Sequence, residues 1–192
     1  DKRFPRPPQQ HGLLVLDKPS GPSSAGCLEK IKRRLGQRKI GHAGTLDPLA
    51  RGVLLVMLGQ GTKLAQYLTD GRKTYQGSLI LGQVTDTYDT EGDTLEEHSL
   101  DTITDDMVRS EVQAWAETTT QIVPPYSAAK HKGKPLYQLS REGKTPPLKT
   151  KSVVIHRAEC LEVDMPHVRF RVACGAGTYV RSLVHSLGKR LG

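Results

Sequence analysis

The chain has 192 residues, 36% of them hydrophobic, with a mean hydropathy of −0.46 and a net charge of +8. That length suits one globular domain with a sizeable core, and no run approaches the roughly 20 apolar residues of a membrane helix or the apolar centre of a signal peptide. Cys27, Cys160 and Cys174 form no C-x-x-C pair and no zinc spacing, so they read as reduced packing residues in a cytoplasmic protein, with no metal expected.

The charge is unevenly placed. Residues 1–40 carry ten basic side chains against three acids, residues 86–117 eleven acids against one Arg, and residues 123–151 six Lys and one Arg against one Glu. Solvated faces explain most charge runs, but two basic regions flanking an acidic insert suit a groove for a polyanion, and nucleic acid is the partner expected.

In chain order, residues 1–11 are proline-rich and aperiodic, a flexible arm. Leu13–Leu16 predict a short buried strand. After the turn Lys18-Pro19-Ser20-Gly21-Pro22, a helix from Ala25 to Leu35 aligns Cys27, Leu28, Ile31 and Leu35 on one face, with Gly36 as its stop. The segment from Gly41 to Ala50 then places Asp47 beside His42 among small residues. Glycines 41 and 44 admit backbone geometries closed to other residues, and Pro48 biases Asp47 towards an extended conformation. A restrained carboxylate is a candidate catalytic group; Asp-Pro also starts many ordinary turns, and spacing alone leaves both readings open.

Val53–Leu58 predicts a central strand, and Gly59–Thr62 opens a short helix with Leu64, Ala65 and Leu68 inward. Its two glycines lack the rest of a nucleotide-binding motif. Thr74–Leu81 predicts a strand bearing Tyr75. The acids at Asp86, Asp89, Glu91 and Asp93 lack calcium-loop spacing and read as an acidic turn. Thr104 is the N-cap of a helix carrying Val108, Val112 and Trp115 inward, Trp115 as packing. Val123–Lys151 reads as a long basic loop that embraces substrate. Val153–Val163 and Val168–Cys174 predict two strands, followed by a helix from Thr178 with Arg181 near its first turn and Val180, Leu183, Val184 and Leu187 inward. The whole is mixed α/β (α+β), with mostly hairpin-like strands flanked by helices.

Four segments, in order and spacing, carry a resemblance to the TruB family of tRNA pseudouridine synthases. They are Val15–Ser24, Gly41–Ala50, Lys73-Thr74-Tyr75 with Gly82–Gly92, and Cys174–Leu183. Pro124–Lys130 through Tyr137 and Arg141-Glu142-Gly143 looks like the family's thumb loop. The resemblance implies the pseudouridine synthase fold over residues 12–192. It also implies isomerisation of a T-loop uridine, at tRNA position 55, with no cofactor and no metal.

It assigns Asp47 as the nucleophile, Arg181 as its ion-pair partner, and Tyr75 as the residue that stacks on the base and assists loss of the C5 proton. His42 becomes the wedge that fills the space of an extruded base, and Tyr179 shapes the pocket. Lys18, Lys130, Lys132 and Lys134 are expected phosphate contacts. Without the resemblance, Arg181 would read as a phosphate contact and Tyr75 as core packing. Ala43 stands where guide-RNA-dependent relatives usually have Ser, which implies a stand-alone enzyme, a monomer acting on the T-arm of tRNA without guide RNA. The other class open to this sequence is a tRNA-binding or tRNA-folding module without catalysis. Departures are Arg51, where Thr or Ser is common, and Gly175-Ala176, where Ser-Lys is more usual. The chain also ends before the family's downstream segment and its PUA domain, and so reads as truncated.

Overall fold

A computed structural model describes residues 8–142 and 147–192, except for the side chains of Lys130, His131 and Arg141. The chain divides into two compact units, one ending at Gly71 and the other running from Arg72 to Gly192, where the sequence reads as one domain from residue 12. Every strand pairing among the described residues is antiparallel, and helices accompany the sheets in an α+β arrangement.

The first unit contains β1 (Gly12–Lys18), α1 (Ser24–Leu35), β2 (Ile40–His42), β3 (Gly52–Leu58), a 3-10 turn (Gly59–Leu64) and the short α2 (Ala65–Thr69). Helix α1 starts where the Ser23 hydroxyl accepts the Gly26 N–H and stops at Gly36, whose φ of 58° suits the residue without a Cβ. Lys32, Arg33 and Arg34 in its last turn complement the helix dipole. β3 lies centrally between β1 and β2, as its apolar run predicts, and Leu54, Val56 and Leu58 bury one face against Cys27, Leu28 and Ile31.

Three expectations are corrected in this unit. The β1 strand is not buried: Leu13, Val15 and Val53 are 49%, 65% and 69% exposed. Register explains this, because pairing Val15 with Leu55 and Asp17 with Val53 puts these residues on the face away from α1. Leu64 is likewise outward. Nor is the arm free as far as residue 11. Gln9 accepts the Arg38 N–H and donates to the Gly36 carbonyl, Gln10 and Gln37 exchange two hydrogen bonds, and His11 Nδ1 accepts the Gln60 N–H. Residues 1–7 lie outside the described residues.

The second unit contains, in chain order, β4 (Lys73–Ile80), β5 (Gln83–Thr85), β6 (Thr94–Glu97), α3 (Asp105–Gln113), a 3-10 turn (Ala114–Glu117), β7 (Thr120–Ile122), β8 (Lys130–His131), β9 (Lys134–Pro135), α4 (Leu136–Arg141), β10 (Thr150–Ser152), β11 (Ile155–Asp164), β12 (His167–Cys174) and α5 (Val180–Leu191). Its main sheet has the order β11-β12-β4. Val168, Phe170, Val172 and Cys174 turn inward from β12 to meet Val108, Val112 and Trp115 below and Leu183 and Leu187 from α5. The Trp115 ring is fully buried and meets Phe170 edge to face at 5.1 Å. Thr104 caps α3 through the Met107 N–H, as its sequence predicts.

The basic stretch 123–151 is more ordered than a plain loop. Lys132 and Gly133, both at positive φ, turn the β8–β9 hairpin, and Leu136 anchors α4 with no exposed surface. Its ends are joined to the unit where β10 pairs with β7 and the Val123 N–H donates to the Lys149 carbonyl. Residues 143–146 lie outside the described residues.

Candidate active site

In the first unit, the loop carrying Asp47 is pinned on both sides of the carboxylate. On one side, the Ser24 hydroxyl accepts the Leu46 N–H and donates to the Leu46 carbonyl, both at 2.9 Å. On the other, the Pro48 carbonyl accepts the Gly21 N–H at 2.8 Å, and the Ala50 N–H closes onto the Asp47 carbonyl at 3.1 Å. The Lys18 ammonium lies underneath, fully buried, donating to the carbonyls of Pro19, Pro48 and Ala50 at 3.0, 3.1 and 2.7 Å. A lysine has three N–H donors, and here each has an acceptor. The expected phosphate contact for Lys18 is therefore corrected: its charge is spent inside the protein, fastening the residues that follow Asp47 to the end of β1.

The glycines of this loop also differ from each other. Gly44 sits at φ 102°, which a side chain would strain. Gly41 needs no such conformation, and a Cβ there would make only ordinary contact with Met57. His42 is half-buried, and its Nδ1 lies 2.8 Å from the Gly44 carbonyl. A carbonyl only accepts, so Nδ1 carries the proton and Nε2 of the neutral ring is the acceptor. The imidazole is thus oriented by its own loop.

In the second unit, Tyr75 is half-buried on β4 opposite Val172, with its ring against the core. Tyr179 caps α5 through its backbone: its N–H donates to Gln121 Oε1 at 2.5 Å and its carbonyl accepts from Gln121 Nε2 at 3.3 Å. Two residues on, the guanidinium of Arg181 donates to the carbonyls of Thr87 (2.8 Å) and Tyr126 (3.0 Å) and lies 3.6 Å from Asp89 Oδ2. Both charged side chains of that pair are only 11% exposed. Asp89 is held in turn, its Oδ1 accepting from the Thr87 hydroxyl and the Glu91 N–H.

The spacing of its acids marks 86–93 as an acidic turn, but nothing local shows that Asp89 serves Arg181. What the sequence signals is the turn itself: hydroxyls at 85 and 87 facing acids at 86 and 89, with Gly92 beyond them. A Cβ on Gly92 would come within 2.1 Å of the Thr87 hydroxyl, so the turn closes only around a glycine. Lys132 and Lys134 are exposed at the tip of the β8–β9 hairpin, while the Lys130 side chain lies outside the described residues. Lys151, which sequence reasoning did not single out, lays its ammonium over Gly177 (φ 72°) at the start of the α5 turn. Among the described residues, no group of three or more His, Cys, Asp or Glu could hold a metal ion, and no helix is long and apolar enough to cross a membrane.

A pinned aspartate turn in one unit and an arginine clamped by an acidic turn in the other sit on an α+β fold shared with pseudouridine synthases. The chain belongs to the TruB family of pseudouridylate synthases, whose N-terminal domain matches residues 32–180. It is 59% identical over 187 residues to a protein named tRNA pseudouridine synthase B from Nitratidesulfovibrio vulgaris strain Miyazaki F, covering 97% of this chain and 60% of the relative. A protein of the same name from Dehalococcoides mccartyi is 42% identical, with 95% and 61% covered. The chain thus spans about 60% of the length of the curated relatives it matches. Among solved structures, a Cbf5–Nop10–Gar1 complex matches at 30% identity with a TM-score of 0.68, covering 95% of this chain and 45% of that one. An H/ACA RNP bound to a substrate RNA containing 2′-deoxyuridine matches at 29% and 0.62, covering 95% and 43%.

Proposed function

We propose that this chain is the catalytic part of a stand-alone tRNA pseudouridine synthase, a monomer of the cytoplasm that isomerises the T-loop uridine at tRNA position 55. The observation that carries the reading is the Asp47 turn. A carboxylate whose neighbours on both sides are tied to α1, β1 and Lys18 is presented to substrate with little conformational freedom to lose on reaching the transition state.

The reaction breaks the bond from N1 to C1′, turns the uracil, and joins C5 to C1′. The C5 proton leaves and N1 takes one up, so composition and oxidation level are unchanged and the balance calls for no redox cofactor. Asp47 is the nucleophile, at C1′ or at C6 of the ring, and Arg181 is its ion-pair partner. Tyr75 stacks on the base and assists loss of the C5 proton; Tyr179 shapes the pocket. Extruding the base from a folded loop costs a few kcal/mol of stacking, and the oriented ring of His42 fills the space left behind. Lys130, Lys132 and Lys134 contact phosphates, positioning the T-arm without reading its sequence. The relatives' names support a tRNA substrate, and Ala43 supports action without guide RNA.

The test is to incubate the protein with a T-loop stem-loop RNA and map pseudouridine, comparing wild type with Asp47→Asn. Conversion by wild type and its loss in the variant, with RNA binding retained, is expected. Binding without conversion by the folded wild type would favour the non-catalytic module instead, and equal conversion by both proteins would remove Asp47 from the chemistry.

A further inference from the structure

Tyr88 is one of only two non-glycine residues at positive φ among the described residues, at 63°. Left-handed backbone is unfavourable for a bulky residue, so something must hold it there. The holder is His185 of α5. The two rings stack face to face, with centroids 3.7 Å apart and planes 7° from parallel. His185 lies four residues after Arg181, so the two share a face of the helix.

The residues flanking Tyr88 both serve Arg181: the Thr87 carbonyl accepts from its guanidinium, and the Asp89 carboxylate pairs with it. The turn thus grips α5 at two levels one helical turn apart, by charge and hydrogen bonds at Arg181 and by ring stacking at His185. Inside the turn, bonds from Thr85 and Thr87 hydroxyls to Asp89 make residues 85–89 a stiff lever. Fixing the ring of Tyr88 therefore fixes the oxygens on either side of it.

We propose that Tyr88 is a positioning residue for the isomerisation: by stacking on His185, it seats the 86–93 turn so that Thr87 and Asp89 hold the Arg181 guanidinium in its working orientation. This rests on the reading above that Arg181 belongs to the catalytic site. The hydroxyl of Tyr88 plays no part; the ring does.

The variants that test it are Tyr88→Phe, which keeps the ring, and Tyr88→Gly, which removes the ring and also relieves the left-handed backbone. They are joined by His185→Phe, which keeps a stack, and His185→Ala, which removes it. Single-turnover conversion of saturating stem-loop RNA, RNA affinity and thermal midpoint are measured for each. Both Phe variants should stay within about twofold of wild type. Tyr88→Gly and His185→Ala should slow the single-turnover rate by about ten- to a hundredfold with affinity unchanged, the scale expected for misplacing a catalytic group. In Tyr88→Gly the loss should occur without a matching fall in thermal midpoint, because backbone strain is relieved as stacking is lost.

Wild-type rates in Tyr88→Gly would overturn the proposal, as would equal losses in the Phe and ring-deleted variants. If Asp47→Asn and Arg181→Lys are inactive while Tyr88→Gly is fully active, only this inference fails; if those two are also fully active, the catalytic reading beneath it fails.

Discussion

Replacing Lys18 by Met separates the two roles available to that lysine. Methionine fills much the same volume but donates to nothing. The carbonyls of Pro19 and Ala50 then lose this donor, while the Pro48 carbonyl keeps the Gly21 N–H. Leaving a buried acceptor unsatisfied costs about 1–3 kcal/mol; Pro19 is exposed, so water can replace its lost donor, and the penalty falls on the part-buried Ala50 carbonyl alone. Removing a buried ammonium returns part of that as relief of its desolvation. The net expectation is a loss of about 1–2 kcal/mol, felt where β1, β3 and the Asp47 turn meet. Urea unfolding followed by far-UV circular dichroism, with hydrogen exchange on the β1 and β3 amides, measures it. RNA titrations at several salt concentrations supply the other half: the slope of log affinity against log salt should be unchanged, because no phosphate contact is removed. A variant of wild-type stability whose salt slope is shallower by about 0.7–0.9, the signature of one lost phosphate contact, would refute the reasoning.

Two further outcomes follow from the second unit. Burial, helped by the neighbouring Lys189 and opposed by Glu96, holds His185 below its ordinary pKa of 6.5. Between the folded and unfolded values the unfolded chain binds the extra proton, so stability is present above about pH 6.5 and falls as the pH drops towards the lower folded value. Wild type should therefore lose more stability than His185→Phe between about pH 7.5 and 5.5 by denaturant titration; equal losses would show that His185 does not titrate in this window. Lys134→Gln, at the exposed hairpin tip, should weaken RNA binding and flatten the salt slope by about 0.7–0.9 without changing conversion of bound RNA. An unchanged slope would take that hairpin out of the RNA interface.

Where local chemistry decides structure, the sequence was legible. Gly36 stops α1, Thr104 starts α3, and the alternation from Val168 to Cys174 marks a strand with one buried face. Failures came where the outcome depends on pairing across the chain. Leu13 and Val15 are as apolar as any core residue, and only the β1–β3 register turns them outward. Lys18 looked like a phosphate contact because its three acceptors belong to residues 19, 48 and 50, two of them some thirty positions away. Asp89 looked like one acid among many, because its role depends on an arginine more than ninety residues downstream. The candidate site residues were suggested by the motif spacing and the family resemblance rather than by any propensity.

The buried indole of Trp115 also has an experimental consequence. It is the chain's one tryptophan, enclosed in the second unit against Phe170, and Tyr67 is the one tyrosine before Gly71. Intrinsic emission excited at the red edge of tyrosine absorption therefore reports on residues 72–192 and is blind to the unit that carries Asp47. A denaturation curve followed by that emission and another followed by backbone dichroism are two different experiments on this protein. Their divergence in Lys18→Met, with the emission curve staying put, would locate the damage without any label being introduced.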